Sequence, residues 1–324
     1  MMHKQRLLWQ FIERQLTLAE PVVLLYVLES IGSSPGRQGF GMAVTASGNM
    51  CGSIGGGMME HKLVEVAKHH LATGTTTQAY YQQIHDKAAA KNQSGMICSG
   101  EQSVYMYRLQ PCDLITVSQI VNTLQQHKHG RLTITPKGIA FDATSMPQAQ
   151  YSFEFDSENN FVFTEKIGHQ NKVFIVGGGH CALAFSELMH KLGFYVQVIE
   201  ERPHLNTLQQ NHFAHEIAIV NQYSEIGSLI PDGSNHYVVL MTFGYRTDAV
   251  ALQAVSHKQL AYLGMLGSKN KIMRLLNELE ADGLIGNVRN YLSAPIGLPI
   301  YSQTPEEIAV SIAAEIILVK NKHN

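Results

Sequence analysis

The sequence predicts an α/β protein, an N-terminal α/β domain joined to a C-terminal doubly wound parallel sheet. Two observations carry this. From Lys172 onward the apolar runs KVFIVG, YVQVIE, EIAIV, HYVVLMTF and YLGMLG alternate with helical stretches, the pattern of a parallel sheet covered on both faces. The first of these runs passes through Gly177-Gly178-Gly179 straight into a helix. Its apolar positions Cys181, Ala184, Phe185, Leu188, Met189 and Leu192 follow the helical i, i+3, i+4 spacing. Composition agrees, since 324 residues with 45% hydrophobic and 15% charged side chains suffice for two domains with sizeable cores.

Taken in order, MMHKQRLLWQFIERQL reads as an amphipathic helix with no cleavage site after it. VVLLYVLES is a buried strand, and GMAVTASGNMCGSIGG reads as two strands around the turn Ser47-Gly48-Asn49. Met58 to Leu71 has helical periodicity, and SVYMYRL closes a first domain at about residue 110. Residues 111–170 read as a connector: a helix over Leu114–Gln126, then two hairpins, RLTITPKGIAF and YSFEFDSENNFVFTEKI. The C-terminal domain spans 171–324. Its last helix starts at a capping box, with Thr304 as N-cap, Pro305 first in the helix and Glu307 third.

The formal net charge of −2, with both signs interspersed, gives no basic face for nucleic acid. No apolar run reaches the ~18–20 residues of a membrane span. Four separated cysteines and 16 histidines form no metal-ligand spacing. The expectation is a cytoplasmic protein with no catalytic or metal constellation of its own.

The glycine turn gives the sharpest site. Gly177 and Gly179 take the first two glycine positions of G-x-G-x-x-G and Ala182 the third, which makes the C-terminal domain Rossmann-like and suits a pyrophosphate. Glu200, at the end of the next strand, is placed to accept from a ribose diol and favours NAD over NADP. His180 either donates to a phosphate or faces solvent. Gly267 and Ser268 form another strand-end turn into a helix, where Ser268 either faces a ligand or only starts the helix.

Two glycine-rich loops lie in the first half. Ser33–Gly39, with Arg37 and Gly39, follows the first strand, and Gly52-Ser53-Ile54-Gly55-Gly56-Gly57 runs into a helix. Either these are anion pockets, with Arg37 as a phosphate partner and Ser53, Gly55, Gly56 and Gly57 lining the cradle, or they are tight turns. Cys98, between Gly95 and Gly100, is either a thiolate ligand or sulfur carrier, or a small residue in a turn.

As an ordered set these motifs resemble the XdhC/CoxI family, accessory proteins of xanthine dehydrogenase and related molybdenum hydroxylases. The resemblance rests on Gly32-Ser33-Ser34-Pro35 with Gly39 and Met42, Gly52–Gly57 with Glu60, and Gly95-Met96-Ile97-Cys98-Ser99-Gly100. In the second half it rests on Gly177–His180, Val198-Ile199-Glu200, Tyr262–Ser268, and Ala294–Leu298 through Thr304–Ala309. It implies a chaperone that binds the molybdenum cofactor (molybdopterin) and assists its sulfuration and insertion, without turnover of its own. Implied partners are a molybdenum hydroxylase such as xanthine dehydrogenase, a cysteine desulfurase and a second copy in a homodimer. The chain departs from the family at Gly41, where a basic residue is usual, at Ser99 for glycine, at Phe243 for histidine, and at Glu200-Glu201 for two aspartates. From the glycine turn alone, the alternative is an NAD(P)-dependent oxidoreductase.

Overall fold

The computed structural model describes residues 2–75, 78–84, 100–145, 149–168, 171–286 and 288–322, and the chain divides into two compact units, 1–168 and 169–324. The first contains α1 (Met2–Thr17), β1 (Val22–Gly32), β2 (Gly41–Thr45), β3 (Met50–Gly52), α2 (Gly57–Thr73), β4 (Gln78–Ile84), β5 (Gly100–Arg108), α3 (Asp113–Gln125), β6 (Gly130–Thr135), β7 (Gly138–Asp142), β8 (Tyr151–Ser157) and β9 (Asn160–Ile167). Its main sheet has the order β3-β2-β1-β5-β4 and is antiparallel throughout.

β1 is buried from Val22 through Leu28 because both its faces are covered. Successive side chains alternate between faces. Val22, Leu24, Tyr26 and Leu28 join Trp9 and Ile12 of α1 and Val117, Ile120 and Leu124 of α3. Val23, Leu25 and Val27 join Leu63, Val64, Ala67 and Leu71 of α2. The stretch 111–168, expected as a connector, thus belongs to the first unit's core: Leu132, Ile134, Phe161 and Phe163 sit in the same cluster as β1. Its two hairpins are joined by antiparallel pairing of β6 with β9 into one sheet of order β7-β6-β9-β8. β4 escaped the sequence reading because QAYYQQI is a mostly polar edge strand without the apolar run of its neighbours.

The second unit contains β10 (Lys172–Val176), α4 (His180–Lys191), β11 (Tyr195–Glu200), α5 (Asn206–Gln209), β12 (Glu216–Ile219), α6 (Ile226–Leu229), β13 (Gly233–Leu240), α7 (Tyr245–Val255), β14 (Leu260–Met265), α8 (Lys269–Ala281), β15 (Leu292–Ser293) and α9 (Pro305–Lys322). The sheet order β12-β11-β10-β13-β14-β15, parallel at every pairing, is the doubly wound dinucleotide-fold order. Phe174 and Val176 face a core closed by Leu252 and Val255 of α7 and Leu275 of α8. Val173 and Ile175 face the opposite core, with Phe185 and Met189 of α4 and Ile312 and Ile316 of α9. The capping box forms as read: the Glu307 amide donates to Thr304 Oγ1 at 3.2 Å, and the Thr304 amide donates to the Glu307 carboxylate at 3.2 Å. No helix among the described residues is long and apolar enough to cross a membrane.

Candidate functional site

In the second unit the direction of winding reverses between β10 and β13, and a doubly wound sheet binds ligands outside the strand ends at that point. The three glycines there have different reasons to be glycine. Gly177 has φ +111°, and a Cβ would lie 2.3 Å from the Met241 carbonyl oxygen, so the turn itself demands it. A Cβ on Gly178 would meet Leu208 Cδ2 at 2.7 Å. Gly179 has φ −75°, and nothing lies within 4 Å of where its Cβ would be. Gly179 is also the N-cap of α4 and supplies no side-chain cap, so the first amides of that helix face outward with their partial positive charge. Neither backbone nor packing requires glycine at 179, whereas a phosphate approaching the backbone would. His180 opens the helix, exposed, and borders a groove of about 330 Å³ with Pro305 and Glu306 of α9.

Glu200 lies where the sequence placed it, at the end of β11, but its carboxylate faces inward and is completely buried. Oε2 accepts from the Gly178 amide at 2.7 Å and from Arg202 Nη2 at 2.9 Å. Oε1 accepts from the Glu201 amide at 2.9 Å, the Arg202 amide at 3.1 Å, Arg202 Nε at 2.9 Å and the Tyr223 hydroxyl at 2.9 Å. Burial would raise its pKa, but the Arg202 guanidinium, the Gly178 and Arg202 amides and the Tyr223 hydroxyl outweigh it and hold the carboxyl at about 2. With both oxygens engaged, Glu200 braces the glycine turn and leaves no free acceptor for a ribose diol. The Arg202 guanidinium also stacks on Phe243 at 4.2 Å. Arg202 follows β11 and Phe243 follows β13, the two neighbours of β10, so this contact spans the end of β10.

Beyond β13, Thr242 Oγ1 donates to Asp248 Oδ1 at 2.5 Å, and Lys271 Nζ pairs with Asp248 Oδ2 at 2.7 Å. This buried cluster, invisible in sequence, ties the strand end to α7 and α8. Ser268 is the N-cap of α8, accepting from the Lys271 amide at 3.4 Å. Gly267 has an ordinary φ, with Ile272 Cγ1 3.3 Å from an added Cβ.

In the first unit the two glycine loops pack against each other. A Cβ on Gly36 would lie 2.0 Å from the Ile54 carbonyl oxygen, and one on Gly55 would lie 2.4 Å from the Gly36 nitrogen. Gln102 stitches them: its Oε1 accepts from Ser34 Oγ at 2.9 Å and the Gly36 amide at 3.2 Å, while its Nε2 donates to the Ile54 carbonyl at 2.8 Å. Gly52, Gly55, Gly56 and Gly57 all have positive φ, which accounts for the glycines as turn residues. The anion cradle they form holds the chain's own carboxylate. Glu60 Oε2 accepts from Ser53 Oγ at 2.7 Å, the Ile54 amide at 2.8 Å and the Gly56 amide at 3.0 Å. Gly39 has φ +83° and lies against the Tyr151 ring, and Arg37 is exposed with Nη1 donating to the Gly32 carbonyl at 3.1 Å. Cys98 lies outside the described residues. Gln102→Ala should cost the first unit about 1–3 kcal/mol by stranding buried donors and an acceptor, measured by urea denaturation followed on the single Trp9. A loss below about 0.5 kcal/mol, typical of an indifferent surface change, would contradict the stitch.

A second polar cluster was missed by sequence reading. Glu165 of β9 is 1% exposed and accepts from Gln5 Nε2 of α1 and from the Tyr26 hydroxyl of β1. Burial pushes its carboxyl up to about 8 despite these two hydrogen bonds, which lower it. One signal was available: β9 alternates, and Glu165 falls in register with inward Phe161, Phe163 and Ile167. Among the described residues no group of three or more His, Cys, Asp or Glu side chains gathers to hold a metal ion.

Comparison with known proteins agrees with this architecture. A family model described as the XdhC Rossmann domain matches residues 173–316, and one described as the XdhC and CoxI family matches residues 16–82. The chain is 24% identical over 306 residues to an uncharacterized Escherichia coli K12 protein, YqeB, covering 93% of this chain and 44% of that one. It is 28% identical over 170 residues to a probable xanthine dehydrogenase component of Bacillus subtilis 168, covering 52% of this chain and 48% of that one. The chain therefore spans somewhat under half the length of these two relatives. The crystal structure of a xanthine dehydrogenase from Bacillus halodurans superposes with a TM-score of 0.72 at 22% identity, covering 98% of this chain and 96% of that one, a likeness of fold. With its two halves matched by the two models in the expected order, the chain belongs to the XdhC/CoxI family.

Proposed function

We propose that the chain is an accessory protein that holds the molybdenum cofactor by its phosphate and assists its sulfuration and insertion into xanthine dehydrogenase or a related molybdenum hydroxylase. The observation that carries this reading is Gly179, a glycine that the chain's own backbone and packing do not require, at the open N-terminus of α4. The residues there fit a phosphate: unfilled amides, the helix dipole and no Cβ in the way. The cradle at Gly52–Gly57 fits a second anion poorly, because Glu60 already takes its donors. In this reading Gly177 and Gly178 shape the turn, Glu200 fixes it, and His180 and Arg202 lie at its edges as cationic or hydrogen-bonding partners. The client enters through the names of matched proteins, two of which are xanthine dehydrogenases. A cysteine desulfurase as sulfur donor, with Cys98 as carrier, and a homodimer belong to the same reading.

The test is transfer. Chain purified from cofactor-producing cells should restore activity to a molybdenum-free hydroxylase, and chain from cells lacking the cofactor should not. Equal activity from both preparations would end the proposal.

The strand order and glycine turn also favour a second reading, a dinucleotide at the same crevice. With Glu200 engaged and Arg202 beside it, the expected guest is the 2′-phosphorylated form, opposite to the preference drawn from the sequence. Calorimetry should then give tighter binding of NADPH than of NADH. The reverse order, or no heat with either at about millimolar concentration, would remove this reading.

A further inference from the structure

The first unit has a cavity that the phosphate site does not use. Its volume is about 320 Å³, within the range of small-molecule sites. Leu7, Leu8, Phe40 and Tyr26 give it mainly apolar walls, Cys51 of the short edge strand β3 borders it, and Gln5 reaches it from α1. Gln5 is only 6% exposed. Its one hydrogen bond among the described residues goes to Glu165, so the amide keeps a carbonyl and a second N–H without partners. A buried amide held in this way is costly unless something completes it.

The cluster behind the amide narrows the chemistry. Glu165 accepts from two neutral groups, Gln5 and Tyr26, and burial favours its uncharged form. An anionic head would meet a buried acid here with no cation to offset it. An alkyl chain would fill the walls and leave the amide unpaired. A flat ring with an N–H beside a C=O satisfies both demands, lying on the apolar walls while its edge exchanges two hydrogen bonds with Gln5.

We infer that this cavity binds an uncharged fused heteroaromatic lactam, a pteridine or an oxopurine, read on its N–H/C=O edge by Gln5, which Glu165 and Tyr26 hold in place. Gln5 touches the ligand, and Glu165 is a positioning residue. The bland role for the same cluster is to tether α1 to β1 and β9, and the test must separate the two.

The full chain is titrated with pterin, followed by quenching of its fluorescence, and with hypoxanthine by calorimetry. Both probes lack a phosphate, so the outcome is independent of the α4 site and of the proposed function. Saturable binding of either probe is expected, weakened about ten-fold or more by Cys51→Phe, which fills the cavity from its half-exposed rim without touching the polar cluster. Glu165→Gln should keep binding and Glu165→Leu should lose it, with melting temperature recorded for each. Tighter binding of pterin assigns a pteridine, and tighter binding of hypoxanthine assigns an oxopurine. No binding of either probe up to about 1 mM, or binding undiminished in Cys51→Phe, overturns the inference.

Discussion

Glu200→Ala is expected to destabilise the second unit by about 3–5 kcal/mol, the cost of removing one partner from a buried ion pair. The carboxylate takes six hydrogen bonds, and its removal leaves the Arg202 guanidinium, the Tyr223 hydroxyl and the Gly178 amide without acceptors in a buried setting. The pH dependence has a definite sign. The folded pKa is held at about 2, below the ordinary 4.5, so the unfolded chain binds the proton more tightly. The stabilisation is therefore complete above the ordinary value and is lost as pH falls from about 4.5 toward 2. Hydrogen exchange of the β10, β11 and β13 amides reads this unit separately from the first. The wild type should lose protection over that window, while Glu200→Ala, weaker at neutral pH, should lose less. Equal protection in both proteins at pH 7 would mean that Glu200 does not brace the turn.

The opposite sign is expected at Glu165. Its folded pKa of about 8 lies above the ordinary 4.5, so the folded state binds the proton more tightly. The first unit is then most stable below pH 4.5 with respect to this group and loses that stability as pH rises toward 8. A shift of this size corresponds to the order of 3–5 kcal/mol. Glu165→Gln keeps a neutral polar group of the same shape and should remove the dependence. Urea denaturation at pH 5, 7 and 8.5, followed on Trp9, would show the variant gaining on the wild type as pH rises. Trp9 reports this core because it is fully buried among the same residues as Tyr26. Parallel stabilities for the two proteins across that range would show that Glu165 is not held uncharged.

The features that sequence made visible are local. The β10–α4–β11 unit declares itself in about thirty consecutive residues, through an apolar run, glycines at a turn, helical spacing and a second apolar run. The capping box at Thr304 is equally local, with partners three residues apart. The features it hid depend on contacts between distant segments. Glu165 meets partners 160 and 139 residues away, and Gln102 joins loops 68 and 48 residues away. The assignment of 111–170 as a connector failed for the same reason: its apolar strand positions say that they are buried, not against what. Glu200 shows the limit most sharply. Its place at the strand end was readable, but the rotation of its carboxylate inward depends on Tyr223, which arrives only after β12.

The central claim is that the open glycine at the start of α4 receives a phosphate-bearing molybdopterin. Gly179→Asp tests it, because aspartate is a favoured N-cap and its backbone tolerates the extended conformation there, while its charge repels a phosphate. Molybdopterin copurifying from cofactor-producing cells is measured as its fluorescent oxidation product. The account predicts cofactor on the wild type and about ten-fold less or lower on Gly179→Asp, at equal or higher melting temperature. Equal cofactor on both proteins, or none on the wild type above an unrelated control, would contradict it.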